Sequence, residues 1–203
     1  MCGIWKKLLA SFHKKTSRPI DTIYINYLDA ITEPKTKALM AICSDIIAKS
    51  KPKTLYFLLS SGGGQVNSGI ALYNFLKALP VEIVMHNTGS IDSIATVIFL
   101  AAEKRFAAKH STFLFHGVTA MFPKDSQLTH IQLQERISSV KHDEDKIAGI
   151  MAERTKLTQS EIRAMFIHGE SKDLTFAIDK GVIHEIKDPL IPKDAPLVTV
   201  NLN

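Results

Sequence analysis

The chain has 203 residues, 45% of them hydrophobic and 22% charged, which is long enough to bury the core of one globular domain. Its formal net charge of +5 comes from scattered lysines with few aromatic residues among them, and this argues against a nucleic-acid partner. Cys2 and Cys43 lack metal-ligand spacing and suggest no disulfide framework, so we expect a reducing, cytoplasmic environment.

The first predicted element is a basic amphipathic helix over residues 4–15. At 100° per residue, Ile4, Leu8 and Phe12 share one face, and lysines lie on the opposite one. Such a helix suits peripheral contact with an anionic membrane surface. The alternative is that its apolar face docks on its own domain or on a neighbouring subunit. We treat residues 1–19 as a separate amino-terminal segment.

Strand and helix patterns then alternate along the chain. Strands are predicted at residues 22–27, 54–59, 81–85 and 112–116, with helices that start near residue 32 and that run through 70–76 and 93–102. The strands are almost continuously apolar, as in sheets that are buried on both faces. The pattern therefore predicts an α/β fold with a parallel sheet and right-handed crossovers.

The character of the sequence changes after residue 122. A long polar helix is predicted over 126–154, and its broken apolar stripe needs another surface to cover it, which a second subunit could supply. A capping box at residues 158–161 starts a short helix. A helix over 177–180, a stop at Gly181, a strand over 182–186 and an extended Pro-rich tail from 189 to 203 complete the chain. We predict one domain over residues 20–188 with a projecting helical arm.

Three features together suggest acyl-transfer chemistry. Residues 60–64 (Ser-Ser-Gly-Gly-Gly) follow a strand, Ser93 opens an apolar helix, and His116 ends the next predicted strand. Such groups supply oxyanion donors, a nucleophile and a general base. Singly, each has a simpler interpretation: a tight turn, a helix N-cap that Ser90 or Asp92 could equally provide, and a core histidine. No Lys-Ser or Lys-Thr pair follows the glycines, which excludes a phosphate-binding loop.

Residues 22–186 resemble the proteolytic subunit of the Clp protease, which has a crotonase-like fold of repeated ββα or βα units with a parallel sheet and a projecting helical handle. Residues 59–66 resemble the family's segment Asn-Ser-Pro-Gly-Gly-x-Val, and residues 69–73 resemble the helix that follows it. Residues 89–93 resemble the family's Gly-x-x-x-Ser motif, and the strands at 104–106 and 111–116 resemble the pair that ends in the catalytic histidine. The handle at about 125–166 and the closing segment at 177–186 follow in the same order.

The resemblance implies roles for individual residues. Ser93 would attack the scissile carbonyl, His116 would act as general base, and the backbone N–H groups of Gly64 and Ile94 would bind the oxyanion. The third triad member would be Asp173, with Glu170 as the alternative, or the site would be a Ser-His dyad. The implied protein is a serine endopeptidase that cleaves peptides or unfolded polypeptides inside a homo-oligomeric ring or stacked rings, with no metal or organic cofactor.

The sequence also departs from the family pattern. Asp92 replaces a small apolar residue beside the nucleophile, Ala95 replaces a glycine, and no acid aligns with the triad position without a gap. These departures leave open a catalytically inactive homologue that acts as a structural or binding subunit. A crotonase-like acyl-CoA enzyme is a further alternative. Residues 1–19 do not match the family's axial loop, so an ATPase unfoldase partner is an open question.

Overall fold

The computed structural model describes residues 21–122, 125 and 127–200. The helix predicted over 4–15, and with it the segment 1–19, lies outside the described residues. The elements, in chain order, are β1 (Thr22–Leu28), α1 (Glu33–Ser50), β2 (Thr54–Ser61), α2 (Val66–Ala78), β3 (Glu82–Asp92), α3 (Ile94–Phe99), β4 (Lys104–Ala107), β5 (Thr112–Phe115), α4 (His130–Arg154), α5 (Gln159–His168), β6 (Glu170–Lys172), α6 (Leu174–Asp179), β7 (Glu185–Ile186) and β8 (Leu197–Thr199).

One sheet joins these strands in the order β6-β5-β3-β2-β1-β8, and β4 pairs with both β3 and β7. Every pair is parallel except β5 with β6. The middle of β2 is buried on both faces, with Leu55, Phe57, Leu58 and Leu59 all within the core. This explains its near-continuous apolar sequence and agrees with the predicted parallel α/β fold.

Strand β3 is longer than the sequence predicted, since it runs to Asp92 and not only to Met85. The reason is a change of partner along its length. Val84 to Asn87 pair with β4, and Ser90 to Asp92 pair with β5. The second half of β3 therefore carries the chain directly to Ser93, at the carboxyl ends of β3 and β5.

Helix α3 anchors this part of the sheet. All six of its residues are buried, and the ring of Phe99 lies 5.4 Å from that of Phe113 on β5, in an edge-to-face arrangement. The predicted helix over 93–102 is thus shorter than expected, and Ser93 itself lies outside it. A helix buried on all sides fixes the position of the residue that precedes it.

Helix α4 corresponds to the long polar helix that the sequence predicted over 126–154, and we refer to it as the arm. It begins at His130, and not near residue 126, because Thr129 and Gln132 form a capping box there. Its outer half exposes Ile131 and Ile137, each by about two thirds, whereas Ile147 and Met151 of its inner half are buried in the core. The carboxyl-terminal half of α4 therefore packs in the core, and its amino-terminal half exposes apolar side chains.

The carboxyl-terminal region returns to the sheet. Helix α6 begins at Leu174, earlier than predicted, because the side chain of Asp173 caps it. The strand predicted over 182–186 is reduced to β7, and the Pro-rich tail adds β8 beside β1. No helix in the described part of the chain is both long and apolar enough to cross a membrane.

Candidate active site

Ser93 occupies a strained turn between β3 and α3. Its φ of 57° and ψ of −131° are unusual for a residue with a side chain, and such a conformation costs about 1–3 kcal/mol. Its N–H donates to Leu114 O at 2.9 Å, which ties the turn to β5. Its hydroxyl makes no capping hydrogen bond to α3, so the N-cap interpretation does not describe this side chain. A sharp strand-to-helix turn presents the nucleophilic serine in enzymes with the α/β-hydrolase fold.

The glycine bend lies directly against Ser93. A Cβ atom added to Gly63 would lie 2.6 Å from Ser93 Cβ, and one added to Gly64 would lie 2.2 Å from Ile31 O. Both glycines have positive φ angles, 84° and 148°. Glycine at 63 therefore allows the bend to lie close to Ser93, and glycine at 64 allows it to lie close to the backbone of Ile31. A plain tight turn would need neither contact.

Two backbone N–H groups are placed to act as donors beside Ser93. Ile31 N–H donates to Gly63 O, and Gln65 N–H donates to Ile31 O, both at 2.8 Å. Because backbone groups alternate along an extended segment, the intervening Gly64 N–H faces away from Ile31. Ile94 is the first residue of α3, so its N–H has no acceptor within the helix.

His116 follows β5, one position beyond the end of the strand. Since Asp92 pairs with Leu114 in parallel register, Ser93 and His116 leave neighbouring strands at the same edge of the sheet. Both residues line one cavity of about 1080 Å³, together with Gly64 and Ile94. Across the described ranges Ser93 Oγ forms no hydrogen bond with His116, whose ring nitrogen Nδ1 is hydrogen-bonded to Gly117 O.

The histidine ring is oriented by a main-chain carbonyl. His116 Nδ1 lies 2.7 Å from Gly117 O. A carbonyl oxygen only accepts hydrogen bonds, so Nδ1 carries a proton, and in the neutral form of such a ring the lone pair lies on Nε2. This is the tautomer in which a histidine can accept a proton from a serine hydroxyl. The sequence did not predict Gly117 as the partner of the ring.

Both predicted acids have other partners. Asp173 is exposed and accepts the Phe176 N–H at 2.8 Å as the cap of α6. Glu170 pairs with Lys172, and the hydrogen bond from that lysine holds the pKa of Glu170 below its ordinary value. Within the described residues, neither carboxylate is hydrogen-bonded to His116.

The carboxylate of Asp92, beside Ser93, also has a hydrogen-bond partner. Asp92 accepts a hydrogen bond from the Ser90 hydroxyl, two residues earlier on the same face of β3. The Ser90 N–H in turn donates to Ser60 Oγ at 3.1 Å. Asp92 thus belongs to a polar cluster between β2 and β3.

The rest of the cavity wall combines apolar and charged side chains. Met40 of α1, Val66 of α2 and Phe166 of α5 contribute apolar surface, and Arg136 and Asp143 enter from α4. Among the residues that the structure describes, no three His, Cys, Asp or Glu side chains group in a way that could hold a metal ion. The apolar side chains of Met40, Val66 and Phe166 give the cavity an apolar surface beside Ser93 and His116.

Comparison with known proteins now identifies the family. A family model described as Clp protease matches residues 8–189. The chain belongs to the Clp protease family. The ATP-dependent Clp protease proteolytic subunit 2 of Chlamydia trachomatis is 22% identical over 163 residues, which cover 79% of this chain and 76% of the relative. The subunit 2 of Pseudomonas aeruginosa is 25% identical over 143 residues, 70% of this chain and 69% of the relative.

A solved Clp protease structure shows the same fold. A single-residue mutant of ClpP1 from Listeria monocytogenes superposes with a TM-score of 0.73 at 17% sequence identity, and the match covers 92% of this chain and 97% of that one. At this identity the likeness concerns the fold alone. It confirms the predicted Clp protease fold, a mixed α/β structure with a parallel sheet.

Proposed function

We propose that the protein is a serine endopeptidase with Ser93 as nucleophile and His116 as general base. The observation that supports this most directly is the cavity that Ser93, His116, Gly64 and Ile94 line together. It combines a hydroxyl in a strained turn with an imidazole whose Nε2 can accept a proton and with two available N–H donors.

The chemistry proceeds through an acyl-enzyme. Ser93 Oγ attacks the peptide carbonyl as His116 Nε2 takes the hydroxyl proton, and the Gly64 and Ile94 N–H groups stabilise the resulting oxyanion. His116 then returns the proton to the leaving amine as the C–N bond breaks. Water repeats the sequence on the ester and releases the acid. The loss of one oxyanion donor typically slows such reactions by about 10²–10³-fold.

The assembly that we propose is a homo-oligomeric ring or pair of rings held together through the arm. The exposed Ile131, Leu133 and Ile137 on α4 need an apolar partner surface, which a second copy of the arm would provide. The curated relatives are named as ATP-dependent proteolytic subunits, which supports a polypeptide substrate and an ATPase partner. A cytoplasmic location fits this proposal.

One observation favours a second candidate function. Among the described residues His116 is hydrogen-bonded to a carbonyl and not to a carboxylate, which favours a catalytically inactive subunit in a mixed assembly. The family match, in contrast, gives no support to the acyl-CoA alternative.

A fluorophosphonate probe distinguishes the two candidates. Intact mass should increase by one adduct per chain in the parent and in Ser44→Ala, a control at an exposed serine of α1 outside the cavity, but not in Ser93→Ala. An adduct on Ser93→Ala would reject this nucleophile. A parent that neither reacts nor cleaves small peptides would favour the inactive subunit. The native mass of the same preparation reports the number of chains in the assembly.

A further inference from the structure

One peptide group, between Gly117 and Val118, connects the histidine to the arm. Its carbonyl accepts the His116 Nδ1–H at 2.7 Å, and its N–H donates to Glu144 Oε1 at 3.0 Å. The C=O and N–H of a trans peptide are rigidly coupled and point in opposite directions. A carboxylate that fixes the N–H therefore also fixes the direction of the carbonyl that orients the ring.

The surroundings hold this peptide group firmly. The preceding N–H, that of Gly117, donates to Phe166 O at 3.0 Å. Glu144 is half-buried on the inner half of α4, one turn before the buried Ala148. A Cβ atom at Gly117 would lie 2.7 Å from Glu144 Oε1 and 3.2 Å from Phe166 O. Glycine at 117 is thus what lets the carboxylate come this close.

We propose that Glu144 is a positioning residue that acts on His116 through the Gly117–Val118 peptide group. In a Ser-His-Asp triad the carboxylate binds Nδ1–H directly, holds the tautomer and stabilises the imidazolium. Here the carboxylate polarises the peptide group, and its carbonyl becomes a stronger acceptor for the same proton, since linked hydrogen bonds reinforce each other. Neither Asp173 nor Glu170 is needed for this arrangement. The inference rests on the proposed peptidase function and supplies its missing acid.

The kinetic test compares three variants for small-peptide hydrolysis. Glu144→Ala should lower kcat by about 10–100-fold, the value of one hydrogen bond to a charged group, with KM changed by less than about twofold. Glu144→Gln should recover most of kcat, because its amide oxygen still accepts the Val118 N–H. Asp145→Ala is the matched control, since the neighbouring carboxylate pairs with Arg163 at the surface, and it should behave as the parent.

Some kinetic results would contradict the proposal. It is overturned if Glu144→Ala keeps the parent's kcat, or if Asp145→Ala loses as much. It is also overturned if kcat is as low in Glu144→Gln as in Glu144→Ala. In that case the amide oxygen would accept the Val118 N–H and yet would not restore kcat.

A spectroscopic test separates this inference from the peptidase proposal. In protein labelled with ¹⁵N-histidine, the signals of His116 among the eight histidines can be assigned by their loss in His116→Ala. The parent should show the proton on Nδ1, and Glu144→Ala should shift it toward Nε2. If the protein hydrolyses nothing but shows this shift, the positioning role stands and the peptidase proposal fails. If the tautomer is the same in both proteins, the positioning role fails, whatever the activity.

Discussion

Gly64→Ala tests whether the glycine bend is set by its contact with Ile31. The added Cβ would lie 2.2 Å from Ile31 O and 2.9 Å from Ile31 C, and both atoms belong to the backbone. A flexible side chain could move aside, but here the two segments must separate. That separation breaks the hydrogen bonds from Ile31 N–H to Gly63 O and from Gln65 N–H to Ile31 O.

The expected loss of stability follows from these contacts. The φ of 148° at position 64 costs a residue with a side chain about 1–3 kcal/mol. Each lost backbone hydrogen bond adds about 1 kcal/mol. The free energy of unfolding should therefore fall by about 3–5 kcal/mol, a large share of the roughly 5–15 kcal/mol typical of folded domains.

The assay is urea unfolding followed by circular dichroism, at one protein concentration because assembly shifts apparent stability. Gly62→Ala is the matched control. A Cβ at Gly62 meets nothing within 4 Å, so its midpoint should stay close to that of the parent. The fluorophosphonate labelling rate of Gly64→Ala should also fall, since the proposed oxyanion donor moves with the backbone. If both variants unfold at the parent's midpoint, the close approach to Ile31 does not set this bend.

Two further predictions concern side chains outside the cavity. Asp173→Ala should lose about 1 kcal/mol of stability because it removes the cap of α6, whereas Asp173→Asn should keep that cap. Both variants should react with the fluorophosphonate probe at the parent's rate. Slower labelling of Asp173→Asn would indicate instead that Asp173 acts on His116. Hydrogen bonds from Lys180 and then Thr158 lower the pKa of Glu161 from 4.5 to about 2. The ionised Glu161 carboxylate therefore stabilises the fold fully above pH 4.5, and this contribution is lost as the pH falls toward 2. Across that window the melting temperature of Glu161→Gln should depend less on pH than that of the parent. Parallel plots of melting temperature against pH for the two proteins would contradict this.

The sequence predicted those features that depend on neighbours along the chain. The apolar strands, the glycine bend and the capping box at Thr158 are local patterns, and the structure has all three. The capping box at Thr129 has the same form, Thr-x-x-Gln, and could have placed the start of α4 correctly. The signal was present at residues 129–132 and was missed.

Other features depend on contacts between distant residues. The length of β3 follows from its change of partner from β4 to β5, which no local pattern reports. Glu144 lies 26 residues beyond Val118, in a helix that contains several acidic residues. Nothing in the local sequence distinguishes Glu144 from the other acids of this helix. Asp173 and Glu170 lie near the family's triad position in the sequence, whereas Glu144 is distant from it and reaches His116 only through a peptide group.

Asp92 has a structural explanation, so it gives no reason to regard the protein as inactive, and the partner of His116 becomes the decisive feature. Its carboxylate is held by Ser90 on β3, and Asp92 is not among the described residues that line the cavity. The Asp92 carboxylate is therefore engaged within the sheet and does not line the cavity to which the proposed oxyanion donors at Gly64 and Ile94 belong. If Glu144 fixes the carbonyl that orients the ring, the absence of a directly bonded acid is no reason for inactivity, and Ser93 should be as reactive as its strained turn suggests.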